Sequence, residues 1–390
     1  MYPDLSYLLN DLFGTEVGPP YSHIKIYGPL LFMAFVLLFV LARNRLKSLE
    51  QLGVVQVLKV EQKAAKPYRL FSSLLELALA FLIGYKGIYV LFSGAIFSLA
   101  TWTSPQGALW GGLLLAGISG YFQWRTFGQK QQEVSSEKQY QTIHPYRRVP
   151  ELLVVACILA LIGQKVIVLV EHFGEFLEAP VETFNNTGTA FYGGIIGGFT
   201  GIYLFCRKYK VPIVHVLDIA SLGGFFGYAL GRLGCHLVGD GCWGIANLNP
   251  KPSFWFLPDW TWSTKYAHNI QQEGVHIKDC VGEYCMQLST PVYPTSFYEM
   301  CISLAFGLVI WFNRNKIKTP GIVFSLFLLQ NGLTRFLMGF IRDSDLYNVM
   351  GFYFSQAQIV GASLVCISIT FLLFLMRKRH HQLSTAITPQ

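Results

Sequence analysis

Charge is scarce in this chain. Only 13% of its 390 residues are Asp, Glu, Lys or Arg, while 52% are hydrophobic; an ordinary soluble domain carries roughly 25% charge. So little charge excludes a solvated globular surface and points to an integral membrane protein. Acids are scarcer than bases, 22 against 30, for a net charge of +8. Beside long apolar runs that excess reads as topology charge, not as a nucleic-acid surface. A basic patch ahead of a short apolar core is also missing. The opening "MYPDLSYLLNDLFGTEVGPPYSH" is acidic instead, so no removable leader is expected. Nor does a strand pattern precede the glycine-rich "FYGGIIGG", which excludes a nucleotide-binding phosphate loop.

What the chain has is apolar runs. They centre on Ile26–Leu41, Phe71–Ala95, Ala108–Phe122, Leu152–Val170, Phe191–Phe205, Val216–Leu237, Met300–Phe312, Gly321–Phe340 and Gln358–Met376. This predicts an all-α polytopic protein of nine transmembrane helices, the runs near Phe191 and Met300 borrowing flanking residues to reach spanning length. The intervening segments alternate in charge. Arg43–Arg69 holds seven Lys/Arg against two acids and Gln123–Pro150 five against two, and "RKYK", "NRNKIK" and "RKR" add three each, together 21 of the 30 basic residues. Glu171–Ala190 carries four glutamates and no base. The positive-inside rule then predicts the N-terminus outside and the C-terminus in the cytoplasm.

The longest outside segment, about 238–298, is rich in Trp, Pro and Tyr and reads as an extracytoplasmic arm at the membrane interface. Cys280 and Cys285 lie in it on the oxidising face; a disulfide and a free pair both remain open there, and a metal clip lacks a second ligand pair. Cys157, Cys206, Cys301 and Cys366 sit in or at the edge of apolar runs, where Cys behaves as a small hydrophobe.

A few cations fall inside the apolar runs, where each costs about 2.5–3.5 kcal/mol on insertion scales and marks a candidate functional site. Arg232 and Arg335 are the informative ones. The bland reading of each is an ion pair or snorkelling to the interface. Lys86 and Lys165 read as structural, and their shared surroundings, "GYKGIYVLF" and "GQKVIVLVE", suggest a copied helix. Gly193, Gly197 and Gly201, and likewise Gly223, Gly227 and Gly231, recur every four residues, a spacing that lets helix backbones approach closely.

Taken together, "IKIYGPLL", "FYGGIIGG", "GRLGCHLVGDGCWG", "YPTSFYE" and "LTRFLMGFIRDSD", in this order, resemble the prolipoprotein diacylglyceryl transferase family. The resemblance covers most of Ser22–Leu41 and Leu152–Met376. It implies a seven-helix core in the bacterial inner membrane, to which the pair within 71–122 is an insertion. It also implies transfer of the diacylglyceryl group of phosphatidylglycerol to the lipobox cysteine thiol in the signal peptide of a pre-lipoprotein. Glycerol 1-phosphate is released, and no cofactor, metal or nucleic acid takes part. Tyr27 stands where the family has a tyrosine in its first helix, and Arg232 and Gly244 match the arginine and closing glycine of its signature. Arg335 matches the second functional arginine, and Glu299 the glutamate of "P-x-x-x-Y-E". The chain departs from the family at Tyr192, in the place of a histidine, at Cys235, in the place of an asparagine, and at Asp240, near a common Glu. Tyr293 stands for His and Gly339 for Glu.

The chemistry asked of these residues is plain. Two guanidinium forks suit one buried phosphodiester anion, and cations fixed there stabilise charge growing on the leaving phosphate. The attacking thiol, with an ordinary pKa near ~8.5, must lose its proton; Tyr192, His236 and Asp240 are the candidate acceptors, with Cys235 and Asp240 lining the substrate site. The spacing C-H-x3-D-x-C matches no recognised zinc pattern, so a metal is not expected. Two other functions fit the same intramembrane arginines: a non-catalytic phospholipid-binding relative, and a transporter of anionic solutes.

Overall fold

The computed structural model describes residues 1–14, 21–61, 70–93, 106–130, 140–186, 190–280, 282–342, 346–349 and 352–387. They form two compact units, Met1–Arg45 with Pro212–Gln390, and Leu46–Val211. After α1 (Leu5–Phe13) come α2 (Tyr27–Gln51), α3 (Leu70–Ser93), α4 (Leu109–Lys130) and α5 (Val149–Glu171). Two short helices follow, α6 (Phe173–Glu178) and α7 (Pro180–Asn186), then α8 (Phe191–Tyr209), α9 (Ile213–Val238), α10 (Thr295–Asn313), α11 (Ile322–Met338) and α12 (Gln356–Ile387). Every apolar run forms a helix over most of its described length, the non-helical residues being Ile26, Ala108, Gly321, Gly339 and Phe340 at run ends; residues 94 and 95, at the end of the second run, lie outside the described residues. Among the described residues, five helices are long and apolar enough to cross a membrane: Tyr27–Gln51, Pro145–Glu171, Ile213–Val238, Thr295–Asn313 and Gln356–Lys378. The run near Met300 gains its length at its N-terminal end, where α10 starts just after Pro294.

The all-helical expectation needs one correction. Three two-stranded antiparallel ladders join connecting segments: β1 (Leu58–Glu61) with β2 (Tyr140–Ile143), β3 (Val275–His276) with β4 (Met286–Gln287), and β5 (Leu346–Val349) with β6 (Phe352–Ser355). Backbone groups outside a helix still need partners, and short ladders supply them.

In the unit Leu46–Val211, glycine decides the packing. A Cβ on Gly163 or Gly193 would strike the carbonyl oxygen of the other, and one on Gly197 or Gly201 would run into Leu159 or Ala156. Helices α5 and α8 therefore cross backbone to backbone. The pair α3 and α4 has the same construction, with Gly84 against Gly111. Two residues after each crossing glycine, a lysine donates to a carbonyl in the segment that leads to the partner helix. Lys86 reaches the Gln106 oxygen at 2.7 Å, and Lys165 the Phe184 oxygen at 2.6 Å. Both lysines thus have a structural use, and "WGG" at 110–112 stands in α4 as "YGG" at 192–194 stands in α8.

The other glycine series behaves differently. A Cβ on Gly223 would press on the Leu38 side chain, one on Gly227 would make ordinary contact with Ala34, and one on Gly231 would meet open space. Gly197→Leu is therefore expected to cost at least about 1–3 kcal/mol by overpacking, read as loss of monodisperse protein in detergent, whereas Gly231→Ala keeps a normal elution profile.

In the unit Met1–Arg45 with Pro212–Gln390, α9 is the central element. Phe225 is fully buried and packs with Ile310 and Val323. Asp218 caps α11, accepting from the Gly321 and Phe324 amides at 2.7 and 2.9 Å and satisfying two N–H groups that a helix start leaves unpaired. Beyond α9, residues 239–294 form a loop-rich layer around Tyr266, Leu288 and Val292. Buried Asn269 holds it together, its side-chain amide donating to the carbonyls of Tyr266, Glu273 and Met286. Cys280 and Cys285 are disulfide-bonded, which decides between the two states open to them from sequence. The N-terminal segment docks beside them: Lys25 donates to the Tyr284 hydroxyl at 2.7 Å.

Candidate functional site

Arg232 lies near the C-terminal end of α9, with Tyr228 one turn before it. Glu299 lies in the second turn of α10, three residues past the buried Ser296. The Arg232 Nε pairs with Glu299 Oε2. The Tyr228 hydroxyl donates to the same oxygen at 3.0 Å, and its ring centroid lies 5.0 Å from the guanidinium carbon. Arg232 is 8% and Glu299 1% exposed, so the pair is shielded from water and each charge needs the other. A guanidinium has five N–H donors, and the bond to Glu299 engages one of them. Arg335, half-buried in the last turn of α11, is near enough to act on Tyr228 electrostatically, as Arg232 and Glu299 do. Tyr228 thus links the two arginines singled out in the sequence. Its spacing of i−4 from Arg232 is the one signal that could have flagged it.

One turn beyond Arg232 is a second cluster. The Tyr27 hydroxyl contacts both Asp240 Oδ2 and, at 3.2 Å, Cys235 Sγ. Gly234 makes room for this, since a Cβ there would lie 2.8 Å from the Tyr27 ring. Past the helix end, Gly239 (φ 63°) and Gly241 (φ 85°) adopt left-handed conformations that glycine accepts without strain. They fold the loop back so that the Cys242 amide donates to Asp240 Oδ1 at 3.1 Å. Cys235, Asp240 and Cys242 now offer ligand atoms all within 4.8 Å of one another. Spacing along the chain hid this arrangement, because it depends on the two glycine turns.

The Cys242 thiol is pulled down to about 7, first by the hydrogen bond from Cys235, against burial, with Arg232 and Arg342 assisting. Burial alone would raise the Asp240 carboxyl, but hydrogen bonds from Tyr27, Cys235 and Cys242 more than offset it and leave it below the usual carboxylate range.

His236 stands apart from this cluster. It is buried, with Nδ1 at 3.1 Å from the Tyr266 hydroxyl, and its ring lies 5.4 Å from Trp260 and 5.6 Å from Phe297, centroid to centroid. Tyr192 is in the first turn of α8, and its side chain lies outside the described residues. Gly244 is buried where no side chain fits: a Cβ would collide with the Ile341 carbonyl oxygen. It lines a cavity of about 280 Å³ together with Trp243, Ser289, Thr290 and Arg342. From sequence, Arg342 has no role and Cys242 enters only as the last residue of the C-H-x3-D-x-C spacing. The arginine in "FIRDSD" beside an apolar helix end was the available signal.

Long apolar helices with a buried arginine–glutamate pair beside a polar loop layer are those of a polytopic membrane protein. The family model described as prolipoprotein diacylglyceryl transferase matches residues 130–374. Among relatives, the phosphatidylglycerol–prolipoprotein diacylglyceryl transferase of Neisseria gonorrhoeae (strain NCCP11945) is 27% identical over 220 residues, covering 55% of this chain and 75% of the relative. Those of Psychrobacter arcticus and Burkholderia multivorans are 24% and 27% identical, each covering 54% of this chain and 72% of the relative. The chain belongs to the prolipoprotein diacylglyceryl transferase family, a family of transferases.

Proposed function

We propose that this chain transfers the diacylglyceryl group of phosphatidylglycerol to the lipobox cysteine of pre-lipoproteins, forming a thioether and releasing glycerol 1-phosphate. The observation that carries this reading is Arg232, buried against Glu299 and Tyr228 with Arg335 in the same field, in a chain of this family. In the reaction the remaining donors of Arg232 and the fork of Arg335 take the phosphodiester oxygens. Charge that grows on the leaving phosphate oxygen meets cations already in place, so stabilisation is greatest in the transition state. Glu299 fixes the Arg232 guanidinium, Gly244 keeps the backbone close to the cavity that Arg342 lines, and Tyr27, Cys235 and Asp240 border the place of the thiol. Enclosure of His236 by Tyr266, Trp260 and Phe297 argues against it as the acceptor of the thiol proton. The test is purified protein with headgroup-labelled phosphatidylglycerol: glycerol phosphate appears only when a lipobox peptide is added. Tight lipid binding without release would favour the non-catalytic relative.

The membrane arrangement belongs to the same reading. Nine helices cross the bacterial cytoplasmic membrane with the N-terminus outside and the C-terminus inside, as a single integral membrane domain, supported by the one-sided basic loops. The pair within 71–122 is an insertion of even number, which preserves the orientation of every later helix; the family match begins after it, at residue 130. The segment 238–298 is an arm at the outer interface, supported by the exposure of Leu248, Phe254 and Phe256. Phe256→Cys is expected to react with a membrane-impermeant maleimide added outside spheroplasts, above the parent chain, and Lys210→Cys only after permeabilisation. The reverse pattern would sink this orientation.

A further inference from the structure

Three candidate metal ligands converge one turn past Arg232, although the sequence spacing gave no reason to expect it. Cys235 closes α9, and Asp240 and Cys242 return to it through the left-handed Gly239 and Gly241. We propose that Cys235, Asp240 and Cys242 hold a zinc ion through three protein ligands, leaving a fourth position for the thiol of the substrate cysteine. This rests on the transferase reading for the identity of that thiol.

The ligand set selects the metal. Two thiolates with one carboxylate suit zinc, whereas magnesium and calcium take oxygen ligands. Zinc–sulfur bonds of about 2.3 Å and zinc–oxygen bonds of about 2.0–2.2 Å place tetrahedral ligand atoms under about 4 Å apart, so atoms already within 4.8 Å need only a small closure. Charge balance agrees. Three anionic ligands exceed the divalent ion by one charge, and Arg342 lines a cavity together with Gly241 and Trp243, the two neighbours of Cys242. Arg232 is already matched by Glu299. Tyr27, in contact with Asp240 and Cys235, is the outer partner that orients two of the three ligands.

Three protein ligands and one exchangeable position are the mark of a catalytic rather than a structural zinc site. A zinc ion held there would lower the pKa of the substrate thiol, whose proton would pass to water. The sulfur lone pair then forms the bond to the glyceryl carbon. The bond from that carbon to the phosphate oxygen breaks, and its electron pair leaves on glycerol phosphate, held by the arginines. The thioether produced has lost its charge and dissociates from the metal. No oxidation occurs.

Cobalt(II) titration of the full chain in detergent, with a phosphine reductant present, tests the site without reference to activity. One cobalt per chain is expected, with a thiolate-to-cobalt charge-transfer band that zinc abolishes. The band falls to about half in Cys242→Ser, which retains one protein thiolate, and rises on adding a lipobox peptide but not its serine counterpart. Tyr27→Phe is expected to weaken metal affinity about 10- to 100-fold while the protein still elutes as the parent does. Three results would overturn the site: no stoichiometric uptake by the parent chain, a full band in Cys235→Ser/Cys242→Ser, or a Cys235–Cys242 disulfide in protein isolated without reductant. In the transfer assay, activity lost on chelation and restored by zinc supports the role. Full transfer by metal-free protein removes zinc and leaves the transferase reading standing. A normal cobalt band with no transfer leaves the site and removes that reading, and with it the role of the fourth position.

Discussion

Glu299→Gln is expected to lose both transfer activity and stability. Glu299 is 1% exposed and is the ion-pair partner of a guanidinium that is itself 8% exposed. Removing its charge leaves Arg232 buried without a counter-ion, at a cost of about 3–5 kcal/mol. The Tyr228 hydroxyl loses its carboxylate acceptor in the same step. Thermal unfolding in detergent reads the first effect and diacylglyceryl transfer the second. A double variant, Arg232→Met with Glu299→Gln, separates them. With no unpaired charge left to bury, it is expected to unfold at a higher temperature than Glu299→Gln alone, while transfer stays lost because the phosphate has no Arg232. If Glu299→Gln unfolds as the parent does, the ion pair does not have the weight assigned to it.

Arg335→Lys is expected to reduce transfer by about 10²–10³-fold, the range seen when one preorganised donor to a developing anion is lost. The charge survives this substitution, but the planar fork does not: a lysine offers a compact ammonium on a flexible stem, without paired donors. Arg335 is half-buried, so the change is expected to leave the unfolding temperature close to that of the parent. The separation of activity from stability distinguishes it from Glu299→Gln. Comparable transfer by Arg335→Lys and the parent would show that a point charge suffices and would remove the bidentate role.

Much of this was legible along the chain, because hydrophobic length and the placement of charge are local properties. The nine apolar runs each form a helix over most of their described length, and the crossing of α5 and α8 follows from the spacing of Gly193, Gly197 and Gly201. Pairing was not legible. Arg232 and Glu299 each stand out as site residues, yet nothing in either neighbourhood says that the two charges meet, since that depends on how α9 packs on α10. The same holds for Cys235, Asp240 and Cys242, whose convergence is decided by two left-handed glycines. His236 shows the opposite failure. Its spacing of four from Arg232 suggested a shared face, but the aromatic layer of Trp260, Tyr266 and Phe297 claims its ring. The short ladders were missed because two to four residues of backbone pairing leave no periodic signal.

The most direct measurement of the central claim is the intact mass of a synthetic lipobox peptide after incubation with the purified chain and phosphatidylglycerol of defined acyl composition. A mass gain equal to one diacylglyceryl group is expected on the cysteine, resistant to hydroxylamine as a thioether is, and none on the serine peptide. An unchanged cysteine peptide, with the protein folded and phosphatidylglycerol bound, would contradict diacylglyceryl transfer by this chain.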